Sequence, residues 1–205
     1  MKQILSKTIL MLVAATLGGC ASINSLTRAK TLKAGDKEFY SGVEYSNLLR
    51  KMDGGSTDTK TFGVDLAGRY GITDQDEVGG RLVNSLAYAG VDYKRALISG
   101  DMNLSTGAVL GYLSYQVGDS KYKQFDLGIP VYIDYQVSNE LVLLASPKLV
   151  YSVVSGTGAD NYGSLVLSAG ARFGETQGIH LEFGYGIPFK KALDGMWQAN
   201  AGIFF

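Results

Sequence analysis

The one histidine in this 205-residue chain, His180, stands two residues before Glu182. In an extended strand that spacing puts both side chains on one face, where the carboxylate could hold an imidazole tautomer for acid-base work. No serine is placed convincingly beside them as a nucleophile, so a structural contact is expected and catalysis is not. Ten more charged residues share the polar faces of alternating segments: Glu44, Asp65, Arg69, Arg81, Asp92, Lys94, Asp126, Asp134, Lys148 and Arg172. Both signs are present, which predicts hydrogen-bonded ion networks. Metal chemistry has no Cys/His cluster to start from. The glycine-rich stretch GTGADNYG (156–163) lacks the strand, loop and helix that cradle a phosphate, and no cofactor is expected.

The elements that carry these charges read as strands. The chain has 27 glycines, 13 tyrosines and 3 prolines, and no long run with helical spacing. Period-two alternation recurs instead. FGVDLAGRYGI (62–72) sets Phe62, Val64, Leu66, Tyr70 and Ile72 on one face, and Asp65 and Arg69 on the other. FDLGIPVYIDY (125–135), LVLSAGARF (165–173) and IHLEFGYGI (179–187) repeat the pattern. Ten strands are predicted, near 38–48, 60–72, 77–84, 88–98, 102–116, 122–137, 140–153, 162–174, 178–188 and 196–205. The stretch EVGGRLVNSLAYAGVDYKRAL is the ambiguous one: either a hairpin turning near 85–87 or one long strand. An eight-stranded arrangement is the alternative.

The amino terminus, MKQILSKTILMLVAATLGGCAS, has Lys2 and Lys7, then an apolar run too short to span a bilayer as a helix, then small residues. Leu17-Gly18-Gly19-Cys20 resembles the lipobox of bacterial lipoproteins. That resemblance implies lipidation of Cys20, the chain's one cysteine, and removal of residues 1–19 as signal peptide. Ala21 and Ser22, in place of an acidic residue, resemble the pattern sorted to the outer membrane. Loss of Lys2 and Lys7 leaves 17 basic residues against 19 acidic ones, a balance that gives no support to nucleic-acid binding. Residues 20–36 are expected to be the lipidated terminus and a polar tether, and residues 37–205 one domain.

Alternation alone does not say which face looks inward; a soluble barrel buries its apolar face, whereas a transmembrane barrel turns it to lipid. A lipocalin-like carrier of a hydrophobic ligand is the soluble reading, though the usual Gly-x-Trp opening is missing. The aromatics favour the membrane reading. Tyr70, Tyr135, Phe173 and Phe205 fall at strand ends beside short turns, and Tyr151, Tyr185 and Trp197 near the longer connections, all in register with the apolar face. Two such girdles suit the two interfaces of a bilayer. Short turns (73–76, 98–101, 138–140, 174–177) are expected on the periplasmic side and longer ones, such as LRKMDGGSTDT, outside. The fold expected is thus an all-β, antiparallel, up-and-down transmembrane barrel.

Nearly the whole chain resembles a small bacterial outer-membrane β-barrel with a lipoprotein signal. Ten strands also resemble the omptin proteases, and small barrels include lipid A deacylases and palmitoyltransferases, but those families place their histidine near the outer rim. His180 follows a short periplasmic turn. The ending MWQANAGIFF resembles the carboxy-terminal signal read by barrel-assembly machinery, with Phe205, Ile203 and Gln198 in place and Asn200 departing from the usual glycine. The partners this resemblance implies are outer-membrane lipid, lipoprotein-processing enzymes and that machinery. The expected role is structural or interactive, with a plugged lumen, the alternative being a narrow channel for small polar solutes. Both termini are expected on the periplasmic side.

Overall fold

A computed structural model describes residues 25–52, 55–84, 87–117, 120–156, 161–189 and 195–205, with backbone alone for 48–52, 55–59, 115–117 and 120–122. Ten strands follow one another: β1 (Lys37–Met52), β2 (Gly55–Gly71), β3 (Asp76–Val83), β4 (Tyr88–Ile98), β5 (Met102–Val117), β6 (Ser120–Gln136), β7 (Leu141–Ser155), β8 (Tyr162–Phe173), β9 (Gly178–Pro188) and β10 (Met196–Phe204). Each pairs antiparallel with its sequence neighbour, and β1 pairs with β10, so the sheet is a closed barrel. The eight-stranded alternative is thereby set aside. Closure removes the unpaired edges that an open ten-stranded sheet would expose.

The ambiguous stretch is a hairpin, β3 pairing with β4 from Asp76↔Arg95 to Val83↔Tyr88. Ala87 takes a left-handed φ of 46°, and its amide donates to the Asn84 carbonyl at 3.3 Å. One expectation fails in detail. LRKMDGGSTDT was expected as a long loop after residue 48, but β1 and β2 stay paired from Leu48↔Thr59 to Met52↔Gly55. Residues 53 and 54, between the two strands, lie outside the described residues. Even parity brings Lys37 and Phe205 to one end, called here the terminus end. There the Phe39 and Phe205 amides each donate to the other's carbonyl, at 2.8 and 3.0 Å.

Side chains alternate across the wall, and the wall is inside out. The described residues include 33 exposed large apolar side chains and 13 buried apolar ones, a ratio opposite to that of a water-soluble barrel. Outward positions on β9 are Ile179, Leu181, Phe183, Tyr185 and Ile187; inward are His180 and Glu182. Tyr70, Tyr135, Phe173 and Phe205 point outward at the terminus end, and Tyr151 outward toward the far end. Tyr185 and Trp197 are half-buried, Trp197 lying between Tyr45 (5.2 Å) and Phe183 (5.9 Å). The interior is not uniformly polar. Val83, Tyr88 and Leu113 form one inward apolar cluster and Val150, Val166 and Met196 another, both toward the far end.

Candidate functional site

All twelve charged residues expected in the lumen lie on inward faces, and the strand register explains how they meet. Ala67 pairs with Arg81 across β2 and β3, and Asp65 sits one inward step along β2. The Arg81 guanidinium reaches both Asp65 oxygens, with Nε to Oδ1 at 3.0 Å and Nη2 to Oδ2 at 2.5 Å, and also Glu44 at 2.8 Å. Asn200 donates to Asp65 at 2.7 Å and Gln198 to Glu44 at 3.3 Å, while the Tyr40 hydroxyl donates to Asn200. Glu44 and Asp65 are 1% and 0% exposed, so one guanidinium balances two carboxylates out of water.

A second network lies nearer the terminus end. Arg69 pairs with Asp92 at 2.5 Å and with Glu77, and Lys94 pairs with Glu77 at 3.0 Å and lies over the Tyr132 ring. Gly79 makes room for it: a Cβ there would lie 2.7 Å from both Arg69 Nη1 and Asp92 Oδ1. Arg172 grips Glu38 through two bonds, at 3.2 and 2.7 Å, and stacks on Phe204. Asp134 accepts from Asn103 at 2.5 Å, and Asp126 from Ser152 at 2.6 Å and Gln124 at 2.8 Å. Lys148 is buried on the same inner surface. His180 lies 3.1 Å from Glu182, edge-on to Tyr40.

The segment expected to be a tether contributes what its composition did not announce, because residues 25–29 lie inside the barrel and residues 30–36 lead out to the exposed rim at the terminus end. Leu26, Thr27 and Ala29 are 3%, 6% and 1% exposed. The amides of Ser25 and Leu26 both donate to the Glu182 carboxylate at 2.8 Å. Further toward the terminus end, the Lys30 amide donates to Asp134 at 3.0 Å, Leu32 to Glu77 at 2.9 Å and Ala34 to Asp74 at 3.1 Å. Lys94 runs the other way, donating to Thr27 Oγ1 at 3.0 Å and to the Arg28 carbonyl at 2.7 Å. Arg28 adds a bond to Gln136 at 3.1 Å and lies 3.6 Å from Asp134. Gly35, at φ +88°, turns the chain back into β1, its amide bonded to the Gly71 carbonyl at 2.8 Å. Gly71 must be small, since a Cβ there would overlap the Lys33 carbonyl oxygen.

Two small cavities border Ser25, of about 30 Å³ beside Arg69, Arg81, Tyr88 and Lys148, and about 10 Å³ beside Ser146 and Glu182. Neither has room for more than about two water molecules. Among the described residues no group of three or more His, Cys, Asp or Glu side chains is placed to hold a metal ion. Cys20 and the residues before it lie outside the described residues. Three contributors were missed on the sequence: Glu38, Glu77 and Arg28. Strand parity signals the first two, since Glu38 shares a face with Glu44 and Glu77 with Arg81. Nothing local signals Arg28.

Fold and interior together define a closed, ten-stranded antiparallel barrel with an apolar exterior and a charged, occupied lumen. No protein-family model and no curated protein matches the chain. Among solved structures the chain is similar to the outer membrane protease OmpT from Escherichia coli, at 12% identity and TM-score 0.49, covering 90% of this chain and 99% of that one. It is also similar to an outer membrane channel from Pseudomonas putida F1, at 10% identity and TM-score 0.48 over 88% and 98%. The β domain of the Bordetella autotransporter BrkA is similar at 11% and 0.48 over 84% and 99%. Likenesses this distant concern the shape of the barrel alone.

Proposed function

We propose that this protein is a lipid-anchored integral barrel of the bacterial outer membrane, with a structural or interaction role and a closed lumen. The carrying observation is the inversion of the wall. On β9 the outward apolar positions from Ile179 to Ile187 rise about 20 Å at ~3.3 Å per residue and ~40° tilt. That height is close to the ~25 Å apolar band of outer-membrane barrels. Water would not support so continuous an apolar surface. The outward aromatics at both ends suit the two interfaces. Cys20 supplies the anchor, and the terminus end faces the periplasm.

The closed lumen rests on the networks around Arg81 and Arg69 and on the segment lying among them. The channel reading, a narrow path for small polar solutes, is the weaker one because opposite charges meet across the space an ion would use. The pair His180 and Glu182 supports holding rather than catalysis, since both Glu182 oxygens are engaged by Ser25 and Leu26. Outer-membrane fractionation with a heat-modifiability gel tests the location: a protein released by mild detergent as a non-modifiable lipoprotein refutes the integral barrel. Planar-bilayer recording tests the lumen, where discrete conductance steps would refute closure. Accumulation of precursor under globomycin is the expected sign of processing before Cys20.

A further inference from the structure

The barrel closes through β1 and β10 without any help from residues 25–36. Gly35 and Asp36 bond Gly71 at the end of β2, but residues 25–34 belong to no strand and share no backbone bond with one. Their amides are met instead by carboxylates from three strands and one turn: Glu182 on β9, Asp134 on β6, Glu77 on β3 and Asp74 between β2 and β3. The amides at 30, 32 and 34 meet acceptors at every second residue, on a segment that bends at 27, 29 and 30 and turns at 34 and 35. Lys94 supplies a donor to the carbonyl side. This is recognition of backbone by side chains, and it reads the course of the occupant's chain more than its side chains. Emptied, the same set of acceptors would lose two amide donors at Glu182 and one each at Asp134 and Glu77. We infer that the terminus-end half of the lumen is a binding site for a non-helical polypeptide segment, occupied in cis by Ser25–Leu32.

The occupant carries marks of a ligand rather than of a wall strand. It hinges on Gly35, whose φ of +88° and open surroundings let the chain fold back on β1. Leu26 holds a left-handed φ of 50°, a backbone state that a leucine keeps when its neighbours hold it there. The inference does not depend on where the barrel resides, so it stands or falls apart from the membrane reading.

The test uses the full chain, folded in detergent, beside a variant carrying Leu26→Pro and Leu32→Pro. Proline at 32 removes the amide donor to Glu77; at 26 it removes one of the two amide donors to Glu182 and excludes the φ of 50° that Leu26 holds, and neither change alters a residue of the wall. Two readouts are taken: the rate of trypsin cleavage after Arg28, and the uptake of a fluorescent dodecapeptide with the sequence of residues 25–36. The unaltered protein is expected to resist cleavage and to take up no peptide. The variant is expected to be cut at least tenfold faster and to bind the peptide saturably, with a peptide bearing the two prolines binding at least tenfold more weakly. Adding Glu182→Gln to the variant is expected to weaken uptake at least fivefold.

A variant that is cut after Arg28 yet binds no peptide overturns the inference. So does one that stays as protected as the unaltered chain, because the amides would not then be what holds the segment. Lys30→Pro, which removes the donor to Asp134, repeats both readouts should the double variant lose its heat-modifiable mobility. Loss of the barrel in both variants also overturns it, since the segment would then be part of the wall's own structure.

Discussion

Replacing Arg81 with methionine separates a dry lumen from a wet one. Arg81 is 8% exposed, and its guanidinium is the cation shared by Glu44 and Asp65, themselves 1% and 0% exposed. Methionine fills much of the same volume and leaves two carboxylates facing each other, with only the amides of Asn200 and Gln198 still donating to them. Removing one partner of a buried pair costs about 3–5 kcal/mol, because the remaining charge stays out of water without compensation. In a hydrated pore the same pair would be screened and its loss would cost about 1 kcal/mol or less. The assay is urea unfolding of the barrel in phospholipid vesicles, followed by the fluorescence of Trp197, the one tryptophan, which lies between Tyr45 and Phe183. A loss of about 3–5 kcal/mol is expected for Arg81→Met. Adding Glu44→Gln and Asp65→Asn is expected to restore most of it, since no bare charge then remains. A loss below about 1 kcal/mol, or no rescue by the two amides, would refute the closed lumen.

Three further outcomes are expected. Ile129→Arg, outward on β6 and far from either end, should cost about 2–4 kcal/mol in vesicles, whereas Val137→Arg beside the terminus-end turn should cost at most about 1; equal costs at both depths in the same unfolding assay count against a membrane-facing wall. Gly71→Val should push Lys33 off the wall and raise the rate of trypsin cleavage after Arg28, read on a gel, while heat-modifiability persists. Deleting Phe205 removes two backbone bonds to Phe39, a loss of about 1–3 kcal/mol at the barrel's closure, and should lower the refolded fraction measured by heat-modifiability.

Most of the wall was legible because its physics is local. A strand with one face to the lumen and one to an apolar surround must alternate, and Phe62 to Ile72 or Ile179 to Ile187 display that period without reference to any partner strand. Parity did the rest for the charges: once Asp65 and Arg69 share a face, Arg81, Lys94 and Glu182 follow from their own strands. Connection lengths were less legible. The extension of β1 and β2 to Met52 and Gly55 has no local mark, because the polar residues of that stretch fit a loop as well as paired strands.

The position of residues 25–36 was not legible, and the reason is one of distance along the chain. ASINSLTRAKTLKAGD has the small and basic composition of a tether, and its few apolar residues do not form a stripe. What draws it inward lies 45 to 157 residues away, in Glu77, Asp134 and Glu182. A closed barrel offers no edge to a chain that arrives at its rim, so a preceding segment can only leave into solvent or turn into the lumen. Buried carboxylates that the wall's own cations do not fully satisfy decide between the two. Glu182 has His180 and Ser168 beside it, and the amides of Ser25 and Leu26 add one donor to each of its oxygens. The His/Glu pair that invites a catalytic reading is thus the inner end of the row of acidic side chains that holds the segment in place.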